Sequence, residues 1–272
     1  MDMSLLQKPA KDLTDAEAFE VLMYLYDSAE IKLPDGVKRD PKNPDKILSP
    51  KPGEQLKVGT TLGDVTFRQA NDAKRPPKGP EGSDALAYFT PTPAFAVLLY
   101  RLGVLLHEKW NVTTIICGGV GSGTKPTDCH SKGRCVDFYG VIRDGGGTID
   151  VQRDWTHRPV YLAWIDEDGT REKYDAVGDD NWGGDTHTFF RLVYSDEPQD
   201  LTPRQFFSSV YEFAMRECTT GPSDISADNF RRGVLLGNGF IFHPDYPYWG
   251  GSYANPGRYS HHDHMHFQIG PT

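Results

Sequence analysis

Apolar residues recur at helical spacing twice in the first part of the chain. In "TDAEAFEVLMYLYDSAE" they fall at Phe19, Leu22, Met23 and Tyr26. Thr14, with Glu17 three residues on, forms a capping box, so a helix is expected from this point. In "TPAFAVLLYRLGVLLHEKW" the stripe Phe95, Leu98, Leu99, Leu102, Leu105 and Leu106 predicts a second helix. Thr92 stands at its cap and Pro93 in its first turn. Residues 33–90 are crowded with Pro, Gly, Lys and Asp and offer only short apolar pieces such as "LGDVTF", which reads as an irregular arm.

Beyond residue 110 the period changes. "NVTTIICGGV" predicts a β-branched strand running into a glycine turn, and "RCVDFYGV" a second strand. "VYLAWIDEDGTREKYDAV" predicts a hairpin turning at Asp168-Gly169. A further helix is expected from Thr202-Pro203, burying Phe206, Phe207, Val210 and Phe213. "GVLLGNGFIFH" and "HMHFQIG" read as late strands, separated by a loop dense in Gly, Pro and aromatics. Helices mixed with short antiparallel strands place the chain in the α+β class.

Composition narrows the partners. The chain has 272 residues, 38% hydrophobic and 25% charged, with a net charge of −9 and no long basic run. Nucleic acid and anionic membrane surfaces are reached through basic patches, so neither is an expected partner. No apolar run approaches the roughly 20 residues of a membrane span, and the first residues lack the basic and apolar regions of a secretory leader. Four cysteines, Cys117, Cys129, Cys135 and Cys218, are too sparse for a disulfide scaffold. Cys129 and Cys135 are close enough to bridge in an oxidising compartment, and equally able to remain thiols.

Chemistry concentrates near the end of the chain. "YSHHDHMHFQIG" carries four of the nine histidines, and Asp263, within six consecutive positions. In a strand His264 and His266 project from one face, and neutral imidazole is a common zinc ligand. A solvated tract or purification remnant is the plainer reading. Against it, Met265, Phe267 and Ile269 alternate with polar positions as in a half-buried strand. Partners for His266 are best sought in "DCHSKGRCVDF", where Gly133 allows a tight turn between His130 and Asp137. Two imidazoles and a carboxylate suit zinc and leave it a net positive charge. Asp263 is the carboxylate nearest in sequence to a ligand and could serve as proton carrier; an Asp before a strand is also often a simple turn former.

Together these segments resemble a known group. "HSKGRCVDF" is similar to the H-x-x-G-x-A-x-D pattern of the D-Ala-D-Ala metallopeptidases, with Cys135 at the usual Ala, and "DHMH" to their late motif. The group shares the lysostaphin, D-Ala-D-Ala peptidase and hedgehog fold and includes murein endopeptidases. The resemblance covers roughly residues 94–140 and 235–270. It implies a small antiparallel sheet flanked by helices and one Zn2+ per chain, held by His130, Asp137 and His266. Asp263 would be the general base, His264 would help stabilise the tetrahedral intermediate, and His261 would be an additional active-site histidine; His262 reads as solvated.

Departures bear on the substrate. Asp128 replaces a frequent Ser, and the segment "CGGVGSGTKPTDCH" lacks the arginine with which the group often holds a substrate carboxylate; Lys125 or Arg134 could substitute. An endopeptidase cutting within a peptidoglycan stem or cross-link peptide therefore fits better than an enzyme gripping a free C-terminus. The expected division is 1–90 as N-terminal helix and arm, and 91–272 as metallopeptidase domain with an insertion at about 143–230. Tyr246, Tyr248, Trp249, Tyr253 and Tyr259 could stack on substrate or simply pack. The leaderless start suggests synthesis in the cytoplasm and action at the bacterial wall after phage lysis or injection-type delivery, with an injection-system carrier or an immunity protein as possible partners. A different class remains open: a non-catalytic wall-binding or structural module that keeps the zinc-site fold. A cysteine hydrolase built on Cys129 is the least favoured reading.

Overall fold

The computed structural model describes residues 2–34, 36–70, 83–121, 129–154, 161–165, 171–175, 189–193, 201–218, 239–242 and 264–270. The chain forms two compact units, Met1–Thr148 and Ile149–Pro271.

In the first unit, α1 spans Asp15–Asp27 and opens on the expected capping box, Thr14 and Glu17 bonding each other's backbone reciprocally. Its buried face is Ala18, Val21, Leu22 and Leu25, whereas only Leu22 of the expected stripe is fully buried. Small residues on that face let α1 lie close against α2, Pro93–Trp110; the larger Phe19, Met23 and Tyr26 are half-buried at the flanks. α2 buries its expected stripe except Leu105, which is half-exposed. Thr92 occupies the N-cap, but its side chain makes no capping bond. Asn111 ends the helix in the left-handed conformation.

The stretch expected to be irregular supplies strands. β1 (Arg39–Asp40) and β2 (Asn43–Ile47) form a small ribbon. β3 (Thr61–Leu62), β4 (Val65–Ala70) and β5 (Ser83–Ala85) join the main sheet. β4 runs parallel to β6, Val112–Gly118, with Thr66 opposite Thr114 and Gln69 opposite Cys117. β6 in turn pairs antiparallel with β7, Cys135–Arg143. The sheet is therefore mixed: mostly antiparallel, with one parallel pair joined through α2.

α2 sits close on this sheet because Gly103 faces the Leu62 carbonyl, where a Cβ would approach to 2.0 Å. Phe67, Phe95, Leu98, Leu99 and Phe138 are essentially inaccessible. Full burial of each such side chain is worth roughly 1.5–3 kcal/mol, so the strand ends that carry the candidate site rest on a firm floor.

The short β8 (Thr148–Asp150) spans the boundary between the units. In the second unit α3 (Val151–Asp154) is followed by β9 (Tyr161–Ile165), which pairs antiparallel with β10 (Arg171–Asp175), Ile165 opposite Arg171. That is the expected hairpin, although its turn at Asp168-Gly169 lies outside the described residues. β11 (Phe189–Val193) covers the other edge of β9. α4 (Leu201–Cys218) buries Phe206, Phe207, Val210 and Phe213 as expected. It packs on a second antiparallel pair, β12 (Gly239–Phe242) and β13 (Met265–Ile269), with Phe242 opposite His266. The architecture is α+β. No helix among the described residues is long and apolar enough to cross a membrane.

Candidate metal centre

The His130–Asp137 pair is built where β6 ends and β7 begins. Past Gly118 the chain turns at Gly119, φ 82°. A Cβ there would stand 2.0 Å from His130 Nδ1, so only glycine lets the imidazole lie against this backbone. The Gly119 carbonyl is 3.1 Å from His130 Nδ1. A carbonyl only accepts, so Nδ1 carries the proton and the ring's lone pair is at Nε2.

His130 is fixed just as firmly at its backbone. Its carbonyl accepts from Gly121 N at 2.8 Å and Gly133 N at 3.0 Å, and Arg134 N donates to the Cys129 carbonyl at 3.0 Å. Gly133 takes the turn position anticipated for it, with φ 64°, and a Cβ there would meet the Thr90 carbonyl at 2.2 Å. The Gly133 carbonyl accepts from Thr92 N at 2.8 Å, and Gln55 Nε2 donates to the Ser131 carbonyl at 2.7 Å. A disulfide between Cys129 and Cys135 closes the turn, resolving the alternative the spacing left open.

Asp137 stands opposite Gly118 in the β6–β7 ladder. Its Oδ1 lies 3.5 Å from His130 Nε2, both side chains being largely but not wholly covered. That separation exceeds a good hydrogen bond of about 2.9 Å. Two ligands each about 2.0–2.1 Å from one tetrahedral ion lie about 3.3 Å apart. The pair therefore has the spacing and the donor types that suit a shared zinc ion. The neighbouring Cys117 thiol is pushed up in pKa first by complete burial and then by the Asp137 charge, which leaves it an inert, protonated group.

The second unit carries the late histidine motif. His264 immediately precedes β13 and His266 is within it, and both are buried. Gln268, two residues beyond His266, is wholly buried. Its Nε2 donates to the Gly270 carbonyl at 2.9 Å, which turns its Oε1 toward His266 Nε2 at 3.4 Å. That long contact places an acceptor on the Nε2 side of the His266 ring. Nearby in the same unit, burial and the Glu217 charge push the Cys218 thiol well above its usual range, while a backbone contact with Gln268 partly offsets them.

Two residues escaped sequence reasoning. Gly119 is flagged only by its place after a strand, and nothing in a spacing rule marks Gln268. Of the expected site residues, the structure brings His130 and Asp137 together and buries His264, just before β13, and His266 within it. Asp263, His261 and His262 lie outside the described residues, as do Lys125, Asp128 and the aromatic loop with Tyr246, Tyr248, Trp249, Tyr253 and Tyr259. Arg134 is half-buried; desolvation lowers its pKa, and the carboxylate acting on it is Asp15, in the first turn of α1. Comparison with protein-family models, with curated proteins and with solved structures finds no match to this chain.

Proposed function

We propose that the chain is a zinc-dependent peptidase of the D-Ala-D-Ala metallopeptidase type, with one ion per chain held by His130, Asp137 and His266, that hydrolyses peptidoglycan stem or cross-link peptides as an endopeptidase. The observation that carries the reading is the His130–Asp137 pair, 3.5 Å apart across a turn that fixes one imidazole tautomer. When bound, zinc acidifies water and polarises a peptide carbonyl.

The protein's own groups do the rest. The Gly119 carbonyl holds the His130 ring with Nε2 toward Asp137, so little reorganisation of this pair accompanies binding. Asp263 takes a proton from the attacking water as oxygen adds to the carbonyl carbon, and returns it to the amine as the C–N bond breaks. His264 donates to the developing oxyanion, and His261 stands as the additional active-site histidine.

The test is mass spectrometry of muropeptides after digestion of purified sacculi. Wild-type protein releases shortened or uncrosslinked peptides, and Asp263→Ala abolishes release while keeping about one zinc per chain. A zinc-loaded wild type that leaves sacculi intact would overturn the peptidase in favour of a binding module.

A further inference from the structure

The turn that carries His130 holds two more groups with metal chemistry. The ligand atoms of Cys129, His130 and Cys135 all lie within 4.8 Å of one another, and Asp137 Oδ1 is 3.5 Å from His130 Nε2. We infer that reduction of the Cys129–Cys135 disulfide uncovers a second metal-ligand set, Cys129, His130 and Cys135, selective for a thiophilic divalent cation such as zinc. The set lies wholly within the first unit. It shares His130 with the proposed peptidase centre but does not require that centre to be catalytic.

The chemistry follows from the sulfur oxidation state. A disulfide sulfur offers no thiolate, so in the oxidised protein this turn presents only the imidazole and the carboxylate. With a phosphine as reductant, two electrons pass to the S–S bond, the phosphorus takes the oxygen of water, and the two protons of that water go to the sulfurs. Cation binding then releases those two protons and forms two metal–sulfur bonds. Sulfurs bound at about 2.3 Å to one tetrahedral zinc lie about 3.8 Å apart. The Cα atoms of Cys129 and Cys135, 5.6 Å apart, allow this by side-chain rotation with the backbone in place. The backbone bonds from Gly121, Gly133 and Arg134 hold the turn independently of the disulfide. Reduction would therefore draw His130 from the proposed open centre into a sulfur-rich one.

Cys117 and Cys218 are buried thiols outside this turn. The experiment uses the full chain, oxidised or reduced with a phosphine that is then removed, and titrated with Co2+ and with Zn2+ alone. The reduced protein should develop sulfur-to-cobalt charge-transfer absorption, and X-ray absorption at the zinc edge should show a sulfur shell near about 2.3 Å. The oxidised protein should show neither, and Cys135→Ser should lose the band on reduction while Cys117→Ala keeps it. Cation binding by reduced wild type with no sulfur in its shell overturns the inference. So does a reduced chain that loses its fold and holds no cation. The peptidase reading fails separately, if oxidised protein binds no zinc or leaves sacculi intact while the reduced form keeps its sulfur shell.

Discussion

His130 Nε2 faces Asp137 Oδ1 at 3.5 Å while the opposite nitrogen of the same ring meets the Gly119 carbonyl at 3.1 Å. One side of the imidazole is thereby assigned to structure and the other to chemistry. Asp137→Asn preserves the shape but removes the charge. It should leave the circular dichroism spectrum unchanged and lower zinc affinity by more than the roughly 10–100-fold expected for an outer partner. Equilibrium dialysis against a zinc chelator measures this, and unchanged affinity would remove Asp137 from the ligand set.

Gly119 should tolerate no side chain. Gly119→Ala must displace the His130 ring, since its Cβ would stand 2.0 Å from Nδ1, and must hold alanine at φ 82°. The strain alone is on the order of 1–3 kcal/mol. Thermal unfolding should show a lowered Tm, and zinc affinity should fall with it. Gly145→Ala, in an open turn where nothing lies within 4 Å of the added carbon, serves as the control: it carries left-handed strain (φ 79°) without the clash and should leave zinc affinity intact.

Gln268 is the clearest positioning residue of the second unit. Gln268→Leu removes the amide oxygen that lies 3.4 Å from His266 Nε2. Zinc affinity should drop about 10–100-fold with kcat lowered in step. A loss of stability with metal affinity untouched would make Gln268 only a structural residue.

The N-terminal cap gives a pH test away from the site. Hydrogen bonds from the Thr14 backbone, then from Lys8 and the Thr14 hydroxyl, depress the Glu17 pKa from 4.5 to about 2. A carboxylate with a depressed folded-state pKa stabilises fully above its unfolded value and loses that contribution as pH falls through the folded one. Tm should therefore decline between pH 4.5 and about 2, and Glu17→Gln should flatten this part of the profile. An identical slope in the variant would contradict the assignment.

What the sequence made legible was mostly local. Thr14 and Glu17 lie within one turn of each other, and Gly133 lies within the motif whose turn it makes, so both could be read from spacing. The buried face of α1 could not, because Ala18 and Val21 are chosen by the approach of α2, not by their own hydrophobicity. β4 was hidden for a related reason: its parallel partner β6 comes more than forty residues later, and its polar flanks resemble loop. Gln268 reads as a polar residue in a strand until its amide is seen turned by the Gly270 carbonyl. The Cys129–Cys135 spacing permits a bridge without requiring one, and only the return of the chain at Gly133 brings the two together.

The central claim is that His130, Asp137 and His266 share one zinc ion. Anomalous diffraction at the zinc edge, from crystals of the oxidised full chain grown with zinc, tests it most directly. A single peak about 2.0–2.2 Å from His130 Nε2, an Asp137 oxygen and a His266 ring nitrogen is the expected result. A peak held by other residues, or no peak on the His130 turn, would contradict it.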